Sequence, residues 1–147
     1  MHLTRDRIVL DDLPQSPDNF HAGAEVIFTG KVRDHSQLRE VMYLEYEAYE
    51  PMAENLIENL IEEARKKWKV DGVSVLHRLG KVALGETAVL IKVASAHRDE
   101  AYQASRFLIE EIKHQVPVWK KEYFADGTTE WSLCRHVNAS GSAVSHP

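Results

Sequence analysis

Residues 87–95, TAVLIKVAS, put eight uncharged side chains and one lysine into nine consecutive positions. A strand with one face in water alternates polar and apolar residues, whereas a near-continuous apolar run suits a strand covered on both faces. The segment is therefore predicted to be a central strand, and the rest of the chain must cover it from two sides. Two stretches have the period for that task. In 50–68, Ala53, Leu56, Ile57, Leu60, Ile61, Ala64 and Trp68 fall on one helical stripe, with Pro51 in the first turn, where its missing N–H costs nothing. Glu62–Lys66 and Glu63–Lys67 are i,i+4 pairs in the favourable order, so the charge run there reads as a solvated helix face. In 98–115, Ala101, Ala104, Phe107, Leu108 and Ile112 form a second stripe, which Pro117 limits.

The other strands are shorter. They are predicted over 7–10, 24–32, 41–48 and 70–79, with a short KVAL segment between Gly80 and Gly85. Residues 118–124 and 130–136 flank the turn Ala125-Asp126-Gly127-Thr128 and read as a terminal hairpin. Residues 11–19 have loop chemistry, and 33–40 (RDHSQLRE), polar and without period, reads as a mobile loop. Strands, helix, strands, helix and hairpin do not alternate strictly, so the fold class is α+β rather than a doubly wound sheet. A chain of 147 residues suits one domain, here 1–137, with the small, polar 138–147 as a disordered tail.

A formal net charge of −5 argues against a nucleic-acid binder, whose affinity would depend on an excess of Lys and Arg. The single cysteine, Cys134, excludes an intrachain disulfide and a multi-cysteine metal site. It reads as a half-buried strand residue, with a reactive thiol as the other reading. The eight histidines lack metal-ligand spacing, so no metal is expected. Phosphate-loop, dinucleotide-loop, nucleophile-elbow and zinc-protease motifs are absent. Arg5, Asp6, Arg7, Asp11 and Asp12 leave no apolar leader in residues 1–20. No apolar run approaches the roughly 20 residues that cross a bilayer, so a cytoplasmic protein without membrane contact is expected.

What remains is a set of cations at the ends of apolar elements. Lys31, Val32 and Arg33 follow Gly30 at a strand end. His97 and Arg98 stand where the central strand meets the second helix. A helix start presents unpaired N–H groups and partial positive charge, which suits an anion, and arginine can grip phosphate with a planar fork. Lys113, His114, Lys120 and Lys121 span the helix end and the next strand. Each group also has a structural reading. The helix dipole alone accounts for Lys113. Arg98 could pair with Glu100 or Glu110, and Lys120 or Lys121 with Glu122, while His77 and Arg78 would hold sheet edges and loops together. Composition and spacing stop at a soluble α+β protein with a candidate phosphate pocket.

FTGKVRDHS, LEYEAY followed by PMA, EEARKKW, HRLGKVALGE, VASAHRDEAY and IKHQVPVWKKE occur in that order. Each piece is weak alone, but together they resemble the large, catalytic subunits of molybdopterin synthase over residues 24–131. The resemblance implies an α+β hammerhead-type fold with a small additional antiparallel β subdomain. It implies a homodimer of large subunits within a heterotetramer, each large subunit binding one small ubiquitin-like sulfur-carrier subunit. The implied reaction transfers sulfur from that partner's thiocarboxylated C-terminal glycine to cyclic pyranopterin monophosphate, forming the dithiolene of molybdopterin, with no metal or other cofactor.

Carried over by motif, the substrate-binding positions are Lys31, Val32, Arg33, His97, Arg98, Lys113, Lys120, Lys121 and Glu122, with Lys113 and Lys120 catalytic. Arg33, His97 and Arg98 would hold phosphate and pterin. Lys113 would be an acid/base or electrostatic catalyst, and Lys120 would stabilise the acyl intermediate or leaving group. The loop 33–40 would close over the partner's tail. The other reading is a non-catalytic module of the same fold that holds a phosphate ligand or a ubiquitin-like partner. Loss of either lysine would favour it, and both are present. After Trp131 no family motif is matched, and Arg135 is left unassigned.

Overall fold

The computed structural model describes residues 1–13 and 20–134. Its elements, in chain order, are β1 (Leu3–Thr4), β2 (Ala24–Lys31), β3 (His35–Ser36), β4 (Arg39–Ala48), α1 (Glu50–Lys67), β5 (Gly72–Arg78), β6 (Gly80–Ala83), β7 (Thr87–Ser95), α2 (Arg98–Gln115), β8 (Val118–Phe124) and β9 (Thr129–Leu133). The apolar segment is central, as its composition requires. In β7 every residue from Ala88 to Ser95 is buried, and the strand lies between β5 and β2, antiparallel to both. β1 adds a parallel edge beyond β5, giving the order β1-β5-β7-β2.

Two different structures cover this sheet. α2 packs against β2 and β7, and α1 packs against α2. Ile57, Leu60, Ala101, Ala104, Leu108 and Ile112 from these helices join Val89, Ile91 and Val93 in one core. Leu90 belongs instead to a second cluster, with Ile8, Leu13 and the half-buried Leu76. The strand expected over 7–10 is therefore not formed. Residues 7–9 carry no regular structure, and a one-turn 3-10 helix follows at Leu10–Asp12. Its apolar residues serve as cover: Ile8 packs on Leu90 while Val9 and Leu10 stay exposed. The N-terminal pairing is made earlier, where the His77 and Leu79 N–H groups donate to the His2 and Thr4 carbonyls.

The second sheet is wholly antiparallel and forms the added β layer. β4 runs through it, flanked by β3 and β8, with β9 outside β8 and β6 pairing β4. Val41, Leu44, Val82, Val118 and Phe124 from this sheet enter the same core as the helices. The terminal hairpin turns at Gly127, whose φ of +87° suits a residue without Cβ. β9 stops at Leu133, short of the expected 136; residues 135–136 and the tail 138–147 lie outside the described residues.

The segment 33–40 also departs from expectation. It is a two-residue hairpin rather than an irregular loop, with His35 opposite Glu40 and Ser36 opposite Arg39. The Val41 N–H donates to the Asp34 carbonyl at 2.8 Å and closes it. The turn residues Gln37 and Leu38 take φ of 50° and 67° without the Asn-Gly signature that usually marks such turns. Leu38 is also fully exposed, so no packing compensates its left-handed backbone. Replacing Gln37-Leu38 by Asn-Gly should raise stability by about 1 kcal/mol. The gain would be read as a higher urea midpoint at unchanged slope; an unmoved midpoint would show that these two residues carry no backbone strain.

Candidate functional site

β2 ends in a register shift between Gly30 and Lys31, and the chain then leaves the sheet. Val32 anchors it there. Its side chain is buried, its N–H donates to the Glu86 carbonyl at 3.1 Å, and its carbonyl accepts from the Gly85 N–H at 2.9 Å. Val32 thus holds the backbone between two exposed cations, Lys31 and Arg33. β8 supplies the opposite wall. Lys120 and Glu122 alternate with Lys121, so Lys121 faces away, with its ammonium 5.0 Å from the Tyr123 ring centre and 5.7 Å from that of Trp131. Lys113 comes from the last turn of α2.

Together these elements enclose a pocket of about 170 Å³ lined by Lys31, Arg33, His35, Ser36, Val41, Leu44, Tyr46, Lys113, Lys120 and Glu122. Four cations face one carboxylate, and none of the five takes part in an ion pair among the described residues. In a chain of net charge −5, this is a local reversal of sign suited to a small anion. Burial holds the Lys113 amine below the usual lysine range; the like charge of Lys120 pushes the same way, while Cys134 pushes back. As a residue Lys113 is exposed, and the pocket it lines also takes in Tyr46, Lys120 and Glu122. Burial, with Cys134 and Glu122 adding to it, lifts the Tyr46 phenol above its ordinary range and leaves its hydroxyl a donor.

The structure thus brings together Lys31, Arg33, Lys113, Lys120 and Glu122. It keeps His97 and Arg98 apart from them. Both are exposed at the start of α2, where His97 is the N-cap residue without a side-chain cap bond. Lys113 lies fifteen helical steps beyond Arg98, about 22 Å along the axis. Glu110 is taken by Arg106 at 3.1 Å, not by Arg98. Sequence reasoning missed His35, Ser36 and Tyr46. The first two sit in the hairpin taken for a loop. Tyr46 could have been found, because it stands directly opposite Lys120.

His77 and Cys134 lie next to Lys113. His77 is buried, packs edge-on to Tyr46 with ring centres 5.2 Å apart, and its Nδ1 lies 2.8 Å from the Arg78 carbonyl. Burial pushes its pKa down to about 4; Lys113 also lowers it, and the bond to Arg78 works against both. Cys134 is half-buried just past β9, and burial raises its thiol against the pull of Lys120 and Lys113. Among the described residues no cluster of three or more His, Cys, Asp or Glu could hold a metal ion, and no helix is long and apolar enough to cross a membrane.

Comparison with known proteins gives a consistent picture. The family model described as MoaE protein matches residues 3–115. The molybdopterin synthase catalytic subunit of Staphylococcus aureus (strain Mu50) is 46% identical over 110 residues, which is 75% of this chain and 74% of that one. The bovine protein of the same name is 38% identical over 128 residues, 87% of this chain and 68% of its own. The crystal structure of molybdopterin synthase from Staphylococcus aureus superposes with a TM-score of 0.82 at 39% identity, covering 88% of this chain and 94% of that one. A complex of subunits 1 and 2 of the molybdopterin-converting factor from Helicobacter pylori matches with a TM-score of 0.62 at 25% identity, covering 72% and 69%.

The state of His77 has a consequence for stability. An unfolded histidine takes a proton near pH 6.5, but the folded His77 only near 4. The native state therefore keeps its full stability above pH 6.5 and loses up to about 3 kcal/mol as the pH falls through that window. A His77→Gln protein should lack this part of the acid slope. Urea unfolding between about pH 7 and pH 4.5 reads the difference; parallel curves would mean that His77 contributes nothing.

Proposed function

Since this chain belongs to the MoaE protein family of molybdopterin synthase catalytic subunits, we propose that it transfers sulfur from a thiocarboxylated small ubiquitin-like subunit to cyclic pyranopterin monophosphate. The observation that carries this reading is the pocket in which four cations, none with an ion-pair partner among the described residues, stand beside one carboxylate. Both reactants are anions, a cyclic phosphate and a thiocarboxylate. Fixed positive charge in a partly dry pocket offsets their repulsion and takes up charge on the phosphate oxygen as it leaves. Lys31 and Arg33 hold the phosphate. Lys113, whose amine gives up its proton more easily than an ordinary lysine, moves a proton or steadies charge at the reacting carbon. Lys120 stabilises the acyl intermediate or leaving group, and Glu122 orients the lysines. The reading needs no metal or other cofactor, and the reaction belongs to the cytoplasm.

A rigid helix separates His97 and Arg98 from Lys113, so within one chain the two groups cannot share one small substrate. We assign His97 and Arg98 to the pocket of a second copy in a homodimer, which with two small subunits makes a heterotetramer. The Helicobacter pylori complex of two subunits supports the partner.

With preloaded thiocarboxylated partner, Lys113→Ala should cut molybdopterin formation by at least about 100-fold, and Lys120→Ala should do the same. Fluorescence of the oxidised product reads both, and normal turnover by either variant removes that lysine from the mechanism. The dimer assignment has its own test. Lys113→Ala and Arg98→Ala proteins, each inactive, should recover about a quarter of wild-type activity when mixed and reassembled, because half the dimers then carry one intact pocket. No recovery would place Arg98 in the same pocket as Lys113 of its own chain or remove it from the reaction.

A further inference from the structure

Lys113 is shared between the pocket and a second, smaller cavity. Apart from Lys113, the polar residues lining that cavity are His77 and Cys134; the remaining wall is aliphatic. It leaves about 10 Å³ for the centre of a water molecule, room for one. The His77 tautomer follows from its neighbours. The Arg78 carbonyl can only accept, so the proton of the neutral ring is on Nδ1, at 2.8 Å from that oxygen. Nε2 is then a bare acceptor, and it has no hydrogen-bond partner among the described residues. The Tyr46 edge contact fixes the ring plane.

We propose that His77 is a positioning residue for Lys113, presenting Nε2 across the shared cavity as acceptor for the lysine ammonium through one buried water. The proposal rests on the reading of Lys113 as part of the chemistry. Its logic lies in what else faces that amine. Lys120 and Glu122 face it from β8, Tyr46 from β4, Lys31 and Arg33 from the end of β2, His35 from β3 and Cys134 from the chain after β9. Glu122 is the only anion in this set. A second carboxylate in place of His77 would orient Lys113 equally well but would cancel one of the charges that attract the substrate. A neutral imidazole orients the ammonium and leaves the positive field intact.

Two substitutions separate the ring nitrogens. His77→Asn keeps an amide near the Nδ1 position for the Arg78 carbonyl but offers nothing at Nε2. His77→Gln reaches the Nε2 position. NMR titration of Lys113 in lysine-labelled protein, with its resonance assigned through Lys113→Arg, should show the midpoint lowered by about one pH unit in His77→Asn and near wild type in His77→Gln. The pH limb of sulfur transfer should move with it, whereas a merely structural role would lower turnover equally at every pH. The titration needs no turnover, so failure of this coupling and failure of the proposed reaction are separate results. Nitrogen-15 spectra of the wild-type protein add a check independent of how the variants fold. His77 should be the Nδ1–H tautomer, with an Nε2 shift that follows the titration of Lys113. An Nε2–H tautomer, equal Lys113 midpoints in all three proteins, or the same shift in both variants overturns the proposal.

Discussion

A strand buried on both faces needs cover that it cannot supply itself. At roughly 1.5–3 kcal/mol for each large aliphatic side chain kept from water, Val89, Leu90, Ile91 and Val93 outweigh the local preferences of the segments around them. The N-terminal residues give up a strand of their own so that Ile8 and Leu13 can sit on Leu90. The one charge in β7 conforms too: Lys92 stays 8% exposed while its ammonium reaches Glu25 at 3.3 Å. On the other face α2 begins just two residues after β7 ends and packs back along the sheet. That return fixes where its charges go. Arg98 stays near the end of β7, and Lys113 is carried to the other end of the helix, beside Lys120 of β8. Burial of one strand therefore decides which cations meet.

The second sheet shows how a structural cation differs from those of the site. Arg39 lies 3.5 Å over the Phe124 ring, pairs with Glu130 at 3.3 Å and Asp126 at 3.6 Å, and donates to the Thr128 hydroxyl. Both terminal nitrogens of its guanidinium and the face of the group have a use within the fold. A few residues away in the same sheet, Lys120 has no ion-pair partner among the described residues, and neither do Lys31, Arg33 and Lys113, which line the pocket with it. Gathering four like charges costs folding energy that Glu122, the one carboxylate lining the pocket, offsets only in part. The two bound anions of the proposed reaction would return it, which fits the arrangement to a binding site better than to a scaffold.

Much of this was legible in the sequence. TAVLIKVAS announced a central strand, and the two apolar stripes located helices to within a residue of Glu50–Lys67 and at Arg98–Gln115. The misses have physical causes. Residues 7–10 have strand composition, but whether apolar side chains pair or merely cover depends on a distant Leu90. The hairpin at 35–40 has neither glycine nor asparagine at its turn, where Gln37 and Leu38 take the left-handed backbone instead. Two features were readable and were not used. Strand alternation alone sends Lys121 to the face opposite Lys120 and Glu122. Helix length alone keeps Arg98 and Lys113 of one chain from touching the same small molecule. The motifs placed all of these at the substrate, but motif order carries no distances.

Lys113 shows why position on an element is a weak guide to role. A lysine in the last turn of a helix is stabilised by the carbonyl dipoles there, commonly by about 0.3–1 kcal/mol, which favours the charged form. Were that its whole purpose, the ammonium would sit in water and hold its proton at least as tightly as a free lysine. The structure points the other way, with burial as the main cause and Lys120 adding to it. Dipole and desolvation oppose each other, and desolvation wins. His77 shares a cavity with the amine and takes no charge of its own at neutral pH, since burial has pushed its titration to about 4. The amine therefore has no anion in that cavity to lock it in the charged form. What the helix end contributes is direction: it delivers a lysine whose proton is loosely held to the pocket that Lys31, Arg33 and Lys120 also line.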